Sequence, residues 1–474
     1  MTTTRRHPHL YEINTWPWLT ALSRREGQLV RLATVPDRDW DRLADRGFDL
    51  VYLMGLWGRS ALGRQIARSE PLLFTAYDEA LPGWRARDVI GSAYCVTGHA
   101  PDPRIGTWKD VDAVRAKLRT RGMRLIVDFV PNHTAFDHPW VTEFPDRYVQ
   151  GDDEIFRRAP SAYRAIELPS GEVRFLACGR DPFFPPWTDV AQLNYFNPDT
   201  RAAMIDTLQQ VAAHTDGARC DMAMLVLNDV FGRTWADSPT GSSPATEFWT
   251  EARAAVPDFF LIAEVYWELE WRLQHLGFDF TYDKRLYDRM LHAHPSEVSA
   301  HLRADAEFQR RSARFIENHD EPRSLTAFGD RVRAAAVVMS TLPGLRFFHD
   351  GQFEGQRARL PVQLGDLPAE PINLDLVEFY QRLLTIVDAR VFHEGEWHLC
   401  DVDACDDSST NLVAWRWKRA RDQRLVVVNL GQSAAQGRVR VGLDGSAGDV
   451  VLFEDLLDER PYPRPRTEIE SRGL

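Results

Sequence analysis

The sequence predicts an α/β protein: a (β/α)8 TIM barrel with an inserted domain after strand 3 and a C-terminal all-β domain. Three observations predict it. Up to about residue 388, short apolar runs rich in β-branched and aromatic residues alternate with longer amphipathic segments, the rhythm of βα units around a parallel sheet. Eight such runs occur, at 10–16, 48–54, 125–130, 217–221, 259–265, 278–281, 313–318 and 345–349, the number at which a barrel of this type closes. From residue 389 the pattern is strand-like only. The expected division is a barrel of 1–133 and 197–388, an inserted domain of 134–196, and an antiparallel β domain of 389–474.

The segments between the runs carry helix signals. In 108–121, Val111, Val114 and Leu118 fall at helical spacing with charges on the other face. Asn197-Pro198-Asp199 opens the next helix with a cap residue followed by proline. Leu376, Phe379, Leu383 and Val387 make an apolar stripe that closes the series. The stretch 134–196 breaks the rhythm: it is rich in proline, glycine and aromatics, shows little periodicity, and is far longer than an ordinary βα loop, which marks it as functional. In the last domain, strands are expected at 411–417, 424–430, 438–441 and 450–453. The chain then reaches Arg472-Gly473-Leu474 without an obvious last strand, so the expected sandwich is incomplete or shortened.

Composition narrows the function classes. A net charge of −12 with no Lys/Arg-rich run argues against nucleic acid and against an anionic substrate. No window approaches 18 apolar residues, so no membrane span is expected, and MTTTRRHPHLYEIN lacks the apolar stretch of a secretory signal; the expected compartment is the cytoplasm. Cys95, Cys178, Cys220, Cys400 and Cys405 are scattered and odd in number, which reads as reduced thiols and not as a zinc or disulfide framework.

Four of the apolar runs end in unusual polar groups: DFVPNH (128–133), GARCD (217–221), LIAEV (261–265) and FIENHD (315–320). One acidic residue closing an apolar strand is a solvated end; four at one rim of a barrel suggest a site. Several carboxylates without a metal signature suit acetal cleavage, in which one carboxyl is protonated to expel the leaving oxygen and another is ionised to attack the oxocarbenium-like carbon. Neighbouring negative charges keep one of them protonated. Arg219 lies two residues before Asp221 and so shares its strand face, either to hold a nucleophile ionised or as a plain structural ion pair. The 15 tryptophans would suit sugar stacking or simply core packing.

These four motifs, in this order, resemble the conserved regions of glycoside hydrolase family 13, the α-amylase family, over essentially the whole chain. The resemblance implies a barrel with a domain inserted after the third strand and a C-terminal antiparallel β domain. It implies Asp221 as nucleophile, Glu264 as acid/base and Asp320 as the third essential carboxylate. His319 joins Asp320 on the 2- and 3-hydroxyls of the sugar, and Arg219 pairs with Asp221 and Asp128. His133 would touch the 6-hydroxyl and Tyr94 would stack on the ring. QLNY (192–195) resembles a fifth, weaker region. No cofactor is needed for the chemistry; Asn132 matches a calcium ligand of the family, which allows a structural calcium.

The sequence also departs from the family. Where many starch-degrading members carry Lys-His beyond the nucleophile, this chain has Met224 and Leu225, either an apolar acceptor wall or mere packing. Gly98-His99 replaces an Asp-Tyr-like pair. The 180–187 segment could wall the sugar site or seal the insert to the barrel, and His349 and Asp350 stand without an assigned role. The expected activity is a retaining α-glycosidase acting on short α-glucosides. The alternatives are a transglycosylase, disaccharide isomerase or phosphorylase sharing its covalent intermediate, and a non-catalytic sugar-binding homologue. The expected partner is a small carbohydrate, with neither nucleic acid nor membrane; the oligomeric state stays open.

Overall fold

The computed structural model describes residues 5–443 and 448–474. Eight parallel strands close a barrel: β1 (His9–Asn14), β2 (Leu50–Met54), β3 (Arg124–Phe129), β4 (Gly217–Cys220), β5 (Phe260–Ala263), β6 (Phe280–Tyr282), β7 (Ser312–Arg314) and β8 (Leu345–His349), with β8 pairing back onto β1. Each expected run overlaps one of these strands, the sixth and seventh by two residues only. The strands are buried on both faces, one by the barrel interior and one by the helices, so apolar residues dominate and the few polar ones, such as Glu12, Asp128 and Arg219, are buried with them.

The register decides what the interior contains. Glu12 pairs with Tyr52, Tyr52 with Ile126, and Asp128 with Arg219. Arg219 pairs in turn with Ile262, and His349 with Glu12. Laterally paired residues share a face and a strand alternates with period two, so Glu12, Tyr52, Asp128, Arg219 and His349 all point inward. Below Arg219 the lumen is plugged by Tyr52, Tyr282 and Phe347, with ring centroids 5.7 Å apart for Tyr282–Phe347 and 6.3 Å for Tyr52–Phe347. The inward polar groups thus gather toward the carboxyl ends of the strands, where sites in barrels of this type lie.

The seventh strand is shorter than the expected 313–318. Past Arg314 the chain exchanges ladder bonds for local ones: Asn318 Oδ1 accepts from the N–H groups of Asp320 and Glu321, both at 2.9 Å, and Glu317 accepts from Ser324 N–H at 2.7 Å. Asp320 thus rides on a turn above the rim. The helices at 108–120, 198–214 and 374–387 form as the sequence indicates, with Asn197 and Asn373 accepting cap bonds from Asp199 and Leu376.

Between β3 and β4 the insert folds into an antiparallel sheet of His133–Ala135, Trp187–Gln192, Val173–Gly179, Tyr163–Glu167 and Gln150–Gly151. Sequence periodicity hid these strands because two of them are only two and three residues long and the longer ones lack a clean apolar–polar alternation.

In the last part of the chain, Glu396–Cys400, Leu412–Arg419 and Asp422–Asn429 form one antiparallel sheet. A hairpin of Val450–Asp455 and Arg460–Pro465 follows, so a last strand exists where none was expected; three prolines in RPYPRP disguise it, tolerated because this is an edge. Trp417, fully buried, joins the sheet to the barrel layer: its indole N–H donates to Thr341 O at 2.6 Å and its ring meets His7 edge-on at 5.2 Å. All five cysteines are free thiols, and only Cys405 is exposed.

Replacing Trp417 with Ala removes this ring and orphans the Thr341 carbonyl. We expect a loss of about 3–5 kcal/mol in urea unfolding of the barrel and C-terminal sheet, the range for deleting a buried aromatic.

Candidate active site

At the open end of the barrel, Arg219 is the hub. Its Nη1 donates to Asp221 Oδ1 at 2.7 Å and its Nη2 lies 2.8 Å from Glu264 Oε2, 3.7 Å from Asp320 Oδ2. Asp221 and Glu264 each sit one residue past the last ladder residue of β4 and β5, and the backbone bonds continue: Asp221 N–H donates to Phe129 O, and Glu264 N–H to Cys220 O. One guanidinium therefore fixes both carboxylates from its two ends. Their separation is bounded by the width of that group plus two hydrogen bonds, compatible with the ~5–5.5 Å of a retaining pair.

The other side of the site is built on His319. Its Nδ1 lies 2.5 Å from Glu12 Oε1 and its Nε2 2.9 Å from Asp320 Oδ2, so each ring nitrogen faces a carboxylate. Tyr94 stacks on the same ring, with centroids 5.6 Å apart, and its hydroxyl lies 2.7 Å from Nε2. Asp128 is held deep in the wall by the Tyr52 hydroxyl and by Gly55 N–H at 2.7 Å, and its closest approach to Arg219 is 3.9 Å. Asp320 is the most accessible of the acids, with 38% of its side chain exposed.

Five carboxylates thus surround two cations. Burial, aided by the Asp221 and Asp320 charges and opposed by Arg219, pushes Glu264 up to about 7. Burial also raises Asp221, against the pull of Arg219. For Asp320 the burial penalty is outweighed by the charge and hydrogen bond of His319, which hold it well below the usual carboxylate range. His319 is raised in turn: burial disfavours its charge, but Asp320 and Glu12 overcome that. The site separates its acids into one that keeps a proton near neutrality and one that stays ionised.

The structure brings Asp221, Glu264, Asp320, Arg219, His319 and Tyr94 to one place. His133 begins the insert sheet, paired with Gln192, and its Nε2 lies 3.2 Å from Tyr94 O. Asn132 is locked into a reciprocal amide pair with Gln192, whose Nε2 donates to Asn132 Oδ1 at 2.9 Å and to Asn132 O at 3.0 Å. A calcium ion takes six to eight oxygens, several from carboxylates. Among the described residues no group of three His, Cys, Asp or Glu could hold a metal, and the Asn132 amide is already committed to Gln192.

QLNY is a clamp on the end of β3, its Tyr195 hydroxyl donating to Pro131 O at 2.8 Å. His99 supports the same strand, accepting from Val130 N–H at 3.0 Å. Met224 and Leu225 form no acceptor wall: they lie in a short 3-10 turn and are 0% and 3% exposed, packed in the core. His349 and Asp350 are engaged behind the site, His349 with Arg323 and Asp350 with the Tyr11 hydroxyl.

Sequence reasoning missed three groups. Glu12 anchors His319 from β1. Met222, in the left-handed region at φ 42°, aims its N–H at Glu264 Oε2 at 2.7 Å. Tyr266 donates to Glu264 Oε1 at 2.8 Å. The polar Glu in the apolar run LYEIN was the one available signal.

A closed (β/α)8 barrel with an acid cluster of this kind at its carboxyl rim defines a glycoside-processing enzyme. Residues 99–361, more than half of the chain, match the family model for the alpha-amylase catalytic domain. The protein belongs to the α-amylase family and is a glycoside hydrolase of that family. It is 24% identical over 386 residues to Alpha-amylase 3 of Dictyoglomus thermophilum, covering 70% of this chain and 72% of that protein. To Alpha-amylase MalA of Haloarcula japonica it is 26% identical over 358 residues, covering 72% of this chain but 48% of the relative. Among solved structures, a noncanonic maltogenic alpha-amylase, AmyB of Thermotoga neapolitana, superposes with a TM-score of 0.68 at 19% identity over 97% of this chain and 94% of that one.

Arg219 to Gln removes the guanidinium and leaves its carboxylates facing one another. The expected cost is about 3–5 kcal/mol at pH 7, the range for breaking a buried ion pair. It should shrink near pH 5, where the unpaired acids can take up protons; unfolding curves at the two pH values measure both.

Proposed function

We propose that the protein is a retaining α-glycosidase that acts on short α-glucosides through a covalent glycosyl-enzyme. The observation that carries this reading is the forked Arg219, which holds an acid of raised pKa and a second carboxylate side by side. Glu264, in the protonated form that its raised pKa keeps available near neutrality, gives its proton to the glycosidic oxygen as the C1–O bond breaks. Asp221 has Oδ1 engaged by Arg219 and attacks C1 with Oδ2. Water then enters from the side the leaving group vacated, Glu264 takes its proton, and the C1–Oδ2 bond breaks, so two inversions give retention. Asp320 and the His319 imidazolium bind vicinal hydroxyls of the same ring, and Tyr94 backs it.

The preference for short substrates is supported by the 180–187 segment. Asp181 Oδ1 accepts from the N–H groups of Phe183 and Phe184 at 2.6 and 2.9 Å, and Pro182, Pro185 and Pro186 stiffen the loop. The loop sends Phe183 across to Trp267, edge-on at 5.0 Å, three residues beyond Glu264. Phe183 nevertheless stays 69% exposed. This aromatic bridge from insert to barrel rim limits the length of what can extend past the acid.

Asp221→Ala should abolish turnover of an aryl α-glucoside, and a 5-fluoro sugar should label Asp221 in the parent; an active variant or an unlabelled Asp221 would sink the assignment. Because the acid must be protonated, kcat/KM should fall as pH rises through about 7. Proton NMR of the first-formed product should show the α anomer, and added acceptor sugars or phosphate distinguish hydrolysis from transfer. Phe183→Ala should raise the ratio of activity on maltoheptaose to that on maltose by roughly three- to tenfold, leaving the aryl glucoside rate near the parent's; an unchanged ratio removes the bridge from the argument.

A further inference from the structure

The hydrogen bonds around Glu264 distinguish its two oxygens. Oε2 receives Met222 N–H at 2.7 Å and faces Arg219 Nη2 at 2.8 Å. Both groups are donors that cannot accept, so a proton on Oε2 would point at two others. Oε1 has the Tyr266 hydroxyl at 2.8 Å, a group that either donates or accepts.

We propose that Tyr266 is a positioning residue for the acid/base: it holds the proton-bearing oxygen of Glu264, Oε1, accepting its proton in the acid form and donating to it in the base form. This rests on Glu264 being the acid/base. In the resting acid, the Oε1 proton lies along the bond to Tyr266 and turns to the glycosidic oxygen when substrate arrives. After cleavage Glu264 is ionised, and Tyr266 reverses its hydroxyl to donate to Oε1 until water delivers the next proton. No atom is gained or lost in this exchange.

The backbone supports a placed tyrosine. The next two residues, Trp267 and Glu268, are both in the left-handed region, at φ 64° and 63°, with no glycine to ease it. Glu268 is ion-paired with Arg285, which pins the turn. Paired strain of this kind persists where surroundings enforce it, and such sites cluster at functional centres.

Besides burial, the groups facing Glu264 are Arg219 and Asp221 of β4 and its end, the Met222 N–H, Asp320 above β7, Tyr282 of β6, and Tyr266 itself. All but Tyr266 are untouched by Tyr266→Phe. A charge-assisted hydrogen bond favours the ionised carboxylate more than its neutral counterpart favours the acid. Removing it should therefore move the alkaline limb of kcat/KM for methyl or maltosyl α-glucosides up by about one pH unit. Replacing Tyr266 with 3,5-difluorotyrosine keeps the ring and strengthens the donor, so at pH values where that phenol stays protonated the limb should move down.

Limbs that superimpose on the parent's overturn the proposal, whatever happens to the rate, and the fluorinated protein decides the matter if Tyr266→Phe does not fold. Glu264→Gln is run alongside: an alkaline limb that survives it counts against Glu264 as the acid, a separate failure from that of Tyr266.

Discussion

A guanidinium buried among carboxylates governs this site. Arg219 is 1% exposed and lies against the rings of Tyr94 and Tyr282, so its charge must be balanced by protein groups. It meets them with a planar fork whose two ends serve Asp221 and Glu264 together, a geometry that a lysine, with its single ammonium, does not reproduce. One guanidinium and one imidazolium are still too little for five acids. The remaining imbalance falls on Glu264, which lacks the private counter-ion that Asp320 has in His319. Division of labour among the acids thus follows from the placement of two cations.

The barrel was legible because its strands are buried on both faces, which leaves short, mostly apolar runs, and the site was legible because acidic residues recur at the ends of such runs. What stayed hidden depends on closure and on backbone conformation. Glu12 looks like one polar residue in a strand; it matters only because closing the barrel brings it to His319, 307 residues away. Tyr266 reads as a core aromatic, and nothing in Trp267-Glu268 announces a left-handed turn, which sequence ordinarily signals with glycine or asparagine. Met224 and Leu225 were ambiguous for a related reason, since a 3-10 turn and an open loop can carry the same two side chains.

Family membership and fold do not choose the acceptor. The relatives share about a quarter of their residues with this chain, and a barrel of this type hosts many chemistries by varying its rim. The rim here carries an insert loop braced by Asp181 and proline, an aromatic contact across to the barrel, and a phenol on Glu264.

The reciprocal amide pair of Asn132 and Gln192 has a mechanical consequence. It ties the outgoing and returning chains of the insert together where they leave the barrel, and Tyr195 and His99 brace the same spot. The base of the insert is thereby fastened to the end of β3 by side-chain bonds as well as by the chain itself. The 180–187 loop is therefore presented from a fastened base, and its contact with Trp267 closes a second tie between insert and barrel at the far end.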